Sequence, residues 1–515
     1  MAAVAGIAVL LFTRFGINGL LSRDEGIYAY AAQQFAHGVP PYKSIFDPKA
    51  PVASLLGGVA AALARLVGRN ELYAIRVVFF LCSVLTVMAI YMLVVRLWRS
   101  RVAGVFAGVV FASFLGFAED ALSGPDAKTP GILCVVLSMW LMARRNWAWA
   151  ALFGSVAFLT WQPLLIYPAL PVVLAVLLTE RGRRGIAFVR TAVAAVAPVA
   201  ATVIYFAATG ALHQLFESTL AYPLTGVHQK PVSFGHRFSR IAGVVTDAYK
   251  FSGVLLWLGL IALVVLCVLH IRRRTSRADL LRDPLLAVVG VTFLFEALYA
   301  IYDFQGYPDV YPLLPYGAIG LGGAAAVLIA RTQDRPDHAR SAVAATVALS
   351  VVLTGVSLGL FIHQRNLDPG LRAQQADACA VTRLLKPGGR LYVMGNPAVL
   401  AVTHRRNPDR YAYLEAGVDQ WKINHTEQGF AGWVGQVERA DPAIIAIGGW
   451  YTGIKDAMGI TLQAYGYIGR YAGQWWLLMK PEVLARAHDA GVRLPTKPTD
   501  YATGLRGREL PASGC

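Results

Sequence analysis

Residues 22–51 read SRDEGIYAYAAQQFAHGVPPYKSIFDPKAP, and residues 52–67 continue as VASLLGGVAAALARLV. The first piece sets Asp24 and Glu25 side by side and closes on Asp47-Pro48-Lys49. The second is apolar but only about 16 residues long, short of the roughly 20 that cross a hydrocarbon core. If it crosses, the acids lie on one side of a membrane; if it stays at the interface, they lie on the other. Its length, its Gly and Ala content and Arg65 favour an interfacial helix. Asp24 is then expected on the outer face, in a loop whose charge density suggests a site.

Composition supplies the membrane. The chain has 515 residues, 56% of them hydrophobic and 15% charged, with a mean hydropathy of +0.51. Soluble domains carry about a quarter charged residues, so this chain is depleted where a membrane protein should be. Eleven spans are expected, at 4–20, 75–95, 102–118, 129–143, 147–160, 163–178, 186–208, 252–270, 284–301, 312–330 and 341–363. The apolar start reaches Leu20 with no basic leader or small-residue cleavage site, so it reads as a retained helix.

Connections after the second, fourth, sixth, eighth and tenth spans are basic: Arg96/Arg99/Arg101, Arg144/Arg145, Arg181/Arg183/Arg184, Arg272/Arg273/Arg274/Arg277 and Arg331/Arg335. That side is expected to be cytoplasmic. Loops 119–128, 209–251 and 302–311, and everything after about 364, are then outside. A net charge of +17 in a soluble protein would raise nucleic acid as a partner. Here many of the arginines sit in short loops between apolar runs, so the partner expected is membrane lipid and not nucleic acid.

From about residue 376 the character changes. Residues 377–385 read as a helix, 390–394 and 443–447 as strands, and 467–480 as a hairpin turning at Ala472-Gly473. The fold class expected is a polytopic α-helical membrane module over 1–363 and a small extracytoplasmic α/β domain over 364–493. A Pro/Gly/Arg tail at 494–515 has the composition of a disordered segment. Cys82, Cys134 and Cys267 fall in apolar runs; Cys379 and Cys515 share the C-terminal region, and their pairing stays open. No cysteine or histidine spacing supports a metal; no cofactor is assigned, and a divalent cation has no ligand set behind it.

Several constellations carry possible chemistry, each with a structural alternative. Ser22-x-x-Glu25 fits a capping box, which accounts for Asp24 and Glu25 without any reaction. The chemical alternative makes one carboxylate a base for an acceptor hydroxyl. Lys49, between two prolines, and Arg76, near the outer end of the second span, are cations at the depth of a lipid phosphate; snorkelling also explains the lysine. Asp126, in Ser123-Gly-Pro-Asp126-Ala-Lys128, is either a helix cap or part of a site. Gln305, Tyr307, Asp309 and Tyr311 suit a sugar or head-group surface, or an interfacial aromatic belt. Glu296, inside the ninth span, is costly unless paired or facing a cavity. Loop 209–251 adds His213, Glu217, His228, Lys230, His236, Arg237 and Arg240, whose basic members suit a lipid phosphate or only anionic head groups.

Asp24-Glu25-Gly-x-Tyr28, Gly38-Val-Pro-Pro41-Tyr42 and Asp47-Pro-Lys49-Ala-Pro51 together resemble the first outer loop of GT-C type membrane glycosyltransferases that use polyprenyl-phosphate sugars. Within that group the chain is similar to dolichyl-phosphate-mannose mannosyltransferases and their bacterial relatives. Ser123-Gly-Pro-Asp126 and Tyr307-Pro-Asp309-Val-Tyr311-Pro-Leu-Leu-Pro315 resemble later signatures of the group, so the resemblance covers about residues 1–330. It implies an outward-facing site, a polyprenyl-phosphate sugar donor (mannose), and an acceptor glycan, lipid-linked glycan or protein. It also implies that the catalytic acid maps to Asp24, with Glu25 beside it and Asp126 in the second acidic loop. Cationic help for the donor phosphate would come from Lys49, Arg76 and Lys128, and sugar or head-group contacts from Asp47, Gln305, Tyr307, Asp309 and Tyr311. Many relatives carry a lysine where this chain has Trp161-Gln162, which leaves the phosphate to Lys49 or Arg76. A transporter or lipid flippase is the rival class, since span number permits it; the acids sit in outer loops, however, and no repeat pairs the two halves. A sensor or scaffold built on the C-terminal domain would leave residues 22–51 unexplained.

Overall fold

The computed structural model describes residues 1–225, 233–274, 276–332, 336–364, 370–472 and 475–498. It is a polytopic α-helical membrane protein with a small C-terminal α/β domain. Each of the eleven expected spans contains a helix, but they differ in reach, and the first, expected over 4–20, is helical only to Phe12. Among the described residues six helices are long and apolar enough to cross alone: Glu71–Trp98, Arg181–Ala208, Phe251–Arg273, Leu285–Tyr302, Tyr307–Arg331 and Asp337–His363. A seventh requires α5 (Arg101–Ala112) and α6 (Leu115–Ser123) to act together across a 73° bend. At that break Ser113 Oγ turns back to the Val109 carbonyl at 2.8 Å, and the Leu115 amide leaves the helix ladder for Ser252 Oγ at 3.0 Å. Four expected spans form shorter helices: α1 (Ala2–Phe12), α7 (Lys128–Ala143), α8 (Trp147–Phe158) and Gln162–Leu178.

Residues 22–67 fold as two helices. Ser22 caps α2 (Arg23–Ala36), accepting from the Glu25 amide at 3.3 Å while Glu25 Oε2 takes the Ser22 amide at 2.6 Å, a complete capping box. The segment 52–66 is α3 (Val52–Leu66), 15 residues long. It lies between α2 and α4 (Glu71–Trp98). A methyl on Gly58 would come within 2.3 Å of the Phe35 ring, so the glycine lets α3 lie directly on α2. The opposite face of α3 exposes Val59, Leu63 and Leu66, as a helix touching lipid requires.

Residues 209–251 are largely helical, with Leu212–Phe216 and Phe234–Tyr249 flanking a stretch that contains His228 and Lys230, which lie outside the described residues. Arg335, Gly473 and the end of the tail from residue 499 do so too, and with them Cys515 and its pairing with Cys379.

The C-terminal sheet has the order β1-β2-β4-β3, with β1 (Leu391–Met394) parallel to β2 (Ile444–Ile447) and β4 (Trp475–Met479) antiparallel to both β2 and β3 (Ile468–Ala472). Every residue of β1 and β2 is buried, which explains their unbroken apolar runs. The domain is sewn to residues 21–46. Gln374 exchanges both backbone hydrogen bonds with Leu21, at 3.0 and 2.9 Å, the Asn407 amide donates to Tyr30 Oη at 3.0 Å, and the Phe46 amide donates to the Arg410 carbonyl at 2.7 Å. Phe46 and Tyr411 stack with centroids 5.0 Å apart.

Candidate active site around residues 22–51

The capping box fixes Asp24 at the second position of α2 and turns Glu25 inward. Glu25 is buried, with the start of α2 on one side and Gly124 so close that a methyl there would lie 2.7 Å from Glu25 Oε1. Burial pushes its carboxyl up, while Arg76 and the Ser22 hydrogen bonds pull the other way. Asp24 is different. Its side chain is 39% exposed, and only Oδ1 is hydrogen-bonded among the described residues, to Arg23 Nε at 2.9 Å. Burial works against its charge, but Lys49 and Arg23 outweigh it, holding the carboxyl below its ordinary range. An ionised carboxylate with a free oxygen is the outcome.

The Asp47-Pro48-Lys49 turn is held from three sides. Asp47 Oδ1 takes the Lys49 amide at 3.0 Å, Tyr42 Oη donates to the Lys49 carbonyl at 2.8 Å, and Gln162 Nε2 donates to the Pro48 carbonyl at 2.8 Å. The turn brings the Lys49 ammonium 5.3 Å from the centroid of the Tyr28 ring. Lys49 has no ion pair within 4 Å among the described residues, yet Asp24, Asp126 and Asp47 face it and outweigh the effect of burial, raising its pKa. Asp47 itself is buried and pushed up to about 6, only partly relieved by Lys49. The Tyr28 hydroxyl is buried and has no hydrogen-bond partner among the described residues. Asp24, Asp47, Asp126, Lys49 and Tyr28 therefore form one electrostatic cluster.

Other expected site residues are engaged elsewhere. Arg76 is fully buried and donates to the carbonyls of Ile17 (2.5 Å) and Gly19 (2.9 Å), so its guanidinium braces the chain leading into α2. Asp126 is buried and accepts the Lys128 amide at 2.7 Å, opening α7. Lys128 Nζ pairs with Asp309 Oδ1 at 2.7 Å and lies 4.9 Å from the Trp161 ring centroid. A cation thus reaches Trp161-Gln162 from α7. Asp309 Oδ2 takes the amides of Gln305 (2.7 Å) and Gly306 (3.0 Å), and the Gln305 side chain is exposed.

Tyr307 and Tyr311 point inward to Asp120. Tyr307 Oη lies 3.0 Å from Asp120 Oδ2, and Tyr311 Oη lies 2.5 Å from the same atom. Glu119 and Asp120 are helical residues of α6, not part of an open connector. Glu296 is buried at 2% exposure.

Two contributors carry no local signal as site residues. Tyr413 belongs to the C-terminal domain, is buried, and places its ring 5.4 Å from the Arg23 guanidinium. Arg23 also reaches the Gly449 carbonyl at 3.4 Å. Only the adjacency of Arg23 to Asp24 hinted at this. Among the described residues no group of three or more His, Cys, Asp or Glu is arranged to hold a metal ion.

An apolar groove of about 320 Å³ opens between the helices Phe234–Tyr249, Phe251–Arg273 and Val291–Tyr302, lined by Phe238, Trp257, Val264, Phe293, Ile301 and Leu313. At its head Arg237 donates to the Tyr302 carbonyl and Arg240 to the Gln305 carbonyl.

No family model matches the sequence, and no curated protein matches it. Solved structures do. ArnT from Cupriavidus metallidurans in the apo state superposes with a TM-score of 0.59 at 15% identity, covering 93% of this chain and 97% of that one. The same protein bound to undecaprenyl phosphate gives a TM-score of 0.54 at 14% identity, with the same coverage. At such identity the likeness speaks for the fold, over nearly the whole of both chains. This chain has the fold of the GT-C type membrane glycosyltransferases.

Proposed function

We propose that the protein transfers a sugar from a polyprenyl-phosphate donor to an acceptor hydroxyl at the outer face of the membrane, in a single inverting displacement. The observation that carries the reading is Asp24: a half-exposed carboxylate with, among the described residues, one oxygen free, set in a cluster where Lys49 has no ion pair within 4 Å among those residues. Asp24 takes the proton of the acceptor hydroxyl as its oxygen attacks the anomeric carbon. The bond from that carbon to the phosphate oxygen breaks, its electron pair leaves with the polyprenyl phosphate, and Lys49 offsets the charge that gathers there. Attack and departure on opposite faces of the carbon invert its configuration.

The fold supports a lipid-borne donor. ArnT, whose fold this chain shares, has been solved with undecaprenyl phosphate, the class of carrier proposed here. The apolar groove under Arg237 and Arg240 suits an isoprenoid tail, since it offers no polar partner to anything else. Mannose as the sugar rests on the resemblance of residues 22–51 alone. In this reading residues 364–493 are an extracytoplasmic domain that covers the site.

The test uses purified protein in lipid nanodiscs with radiolabelled polyprenyl-phosphate mannose, parallel donors carrying other sugars, and a cell-envelope extract as acceptor. Label in an acceptor supports transfer; label crossing the bilayer without covalent transfer would make the protein a transporter. Asp24→Asn is expected to abolish transfer with unchanged melting, and near-normal turnover in that variant overturns the base assignment.

A further inference from the structure

Arg23 is held by three groups at once. Its Nε gives a hydrogen bond to Asp24 Oδ1 at 2.9 Å, its Nη1 reaches the Gly449 carbonyl at 3.4 Å, and its guanidinium lies 5.4 Å from the centroid of the Tyr413 ring. Two of the three belong to the C-terminal domain. Gly449 follows β2, and Tyr413 lies in the segment that runs beside the end of β1, where the Gly395 amide donates to the Ala412 carbonyl at 2.7 Å. That segment is itself anchored on the first outer loop, through Asn407 to Tyr30 and through Arg410 to Phe46. The sheet domain and the acidic loop are therefore in register at this point, and the ring and the carbonyl cannot move independently of α2.

A guanidinium beside a carboxylate on neighbouring residues is ordinarily a loose surface pair that samples many rotamers. Here an aromatic face and a carbonyl remove that freedom. We propose that Arg23, seated by Tyr413 and Gly449 of the C-terminal domain, is the positioning residue of the site: it occupies Asp24 Oδ1 and leaves Oδ2 to the acceptor hydroxyl. The C-terminal domain then takes part in the reaction through Arg23 as well as covering the site. This rests on the reading of Asp24 as the base, but the geometry stands without it.

The claim has a titration signature, because a cation fixed on a carboxylate favours its charged form. The other groups facing Asp24 are Tyr28 on α2, Asp47 and Lys49 on the loop, Lys128 at the head of α7 and Tyr413, while Glu415 faces Arg23. Removing the Tyr413 ring acts on Asp24 through Arg23, through the Tyr413 hydroxyl, which also faces Lys49 and Tyr28, and by admitting water, which lowers the midpoint and so opposes the expected rise; Tyr413→Phe isolates the hydroxyl and Arg23→Gln the cation. Phenylalanine keeps the ring under the guanidinium and removes the hydroxyl.

The experiment labels the full-length protein in nanodiscs with a carbodiimide, which reacts with protonated carboxyls, and reads the Asp24 peptide by mass spectrometry across pH. Tyr413→Ala is expected to raise the labelling midpoint by about one pH unit. Tyr413→Phe is expected to titrate with the wild type. Arg23→Gln is expected to reproduce the Tyr413→Ala shift, and Tyr413→Ala placed on Arg23→Gln to add nothing. Tyr413→Leu, which fills more of the cavity, serves if the alanine variant melts early. An unchanged midpoint in Tyr413→Leu or Arg23→Gln overturns the proposal, as does a shift in Tyr413→Phe equal to that of the alanine variant. If the wild type transfers no sugar, the midpoints still decide the role of Arg23. If the midpoints behave as expected and Asp24→Asn still transfers, the base reading fails alone.

Discussion

The Lys128 ammonium lies 2.7 Å from Asp309 Oδ1, joining the head of α7 to the turn that begins the helix ending at Arg331. Both side chains are almost wholly shielded, at 5% and 11% exposure. Removing one partner of such a pair strands the other charge, at a cost of about 3–5 kcal/mol. Lys128→Met and Asp309→Asn are each expected to lower the melting temperature sharply, and the double variant to recover much of the loss. A double-mutant cycle on thermal melts in nanodiscs measures this. Wild-type melting in Lys128→Met with loss of transfer would make Lys128 a phosphate-binding cation instead.

With Lys128 engaged and Arg76 bonded to backbone carbonyls, Lys49 is left, among the described residues, as the cation of the cluster without an ion pair. Lys49→Ala is expected to cut transfer by about 10²–10³, the scale of losing one charge-stabilising group. Melting should stay near wild type, because no ion pair within 4 Å is lost among the described residues. Lys49→Arg should restore part of the rate. Steady-state transfer kinetics beside melting curves distinguish this from a role in folding.

Asp47 sets a pH dependence of stability. Burial raises its folded-state pKa to about 6, well above that of an unfolded aspartate near 3.9. Between those values the folded chain holds the extra proton, so stability falls as pH rises from about 4 to about 6 and is level above that. Asp47→Asn is expected to remove this slope and to stabilise the protein at pH 7 by on the order of 2 kcal/mol. Melting temperatures at pH 4, 5, 6 and 7 for both proteins provide the comparison.

Glu217 is the opposite case. Its carboxylate receives Arg410 Nη2 at 2.5 Å, Tyr411 Oη at 3.2 Å and Trp421 Nε1 at 3.3 Å, all from the C-terminal domain. Burial raises its pKa, but the Arg410 hydrogen bond and charge outweigh burial, so the folded value is lowered. Its contribution is complete above the unfolded value near 4.3 and is lost as pH falls below it. Glu217→Gln is expected to cost about 1.5–3 kcal/mol and to free the domain from the helical part. Limited proteolysis at neutral pH should then release the C-terminal domain faster than in the wild type.

How far these features were legible in the sequence depends on the range of the interaction. Composition and basic loops marked the helical segments, and the capping box at Ser22 and Glu25 formed as its spacing required, because these signals are local. Helix lengths were harder: the bend after Ala112 turns on a hydrogen bond from Leu115 to Ser252, which no window of sequence contains. The cations show the same limit. Arg76, Lys128 and Lys49 looked equivalent as charges near the outer edge, and only long-range partners separate them: carbonyls at residues 17 and 19 for the first, Asp309 for the second, and no ion pair for the third. Tyr413 was invisible because its contact with Arg23 depends on the docking of a whole domain.

That docking makes a further demand on α2. A methyl on Gly26 would lie 2.7 Å from the Ala398 nitrogen and 2.9 Å from its Cα, both backbone atoms that cannot rotate away. In an isolated helix Gly→Ala gains about 1 kcal/mol. Gly26→Ala is nevertheless expected to destabilise the protein, because the added atom pushes Ala398–Thr403 off α2 and with it the segment carrying Tyr413. Gly6→Ala in α1, where nothing lies within 4 Å, is the control expected to be neutral or slightly stabilising. Melting and transfer should both fall for Gly26→Ala, and hydrogen exchange should rise first in residues 398–414. A Gly26→Ala variant that melts with the control would mean that α2 and the sheet domain tolerate separation, and that the seat of Arg23 is looser than its three contacts suggest.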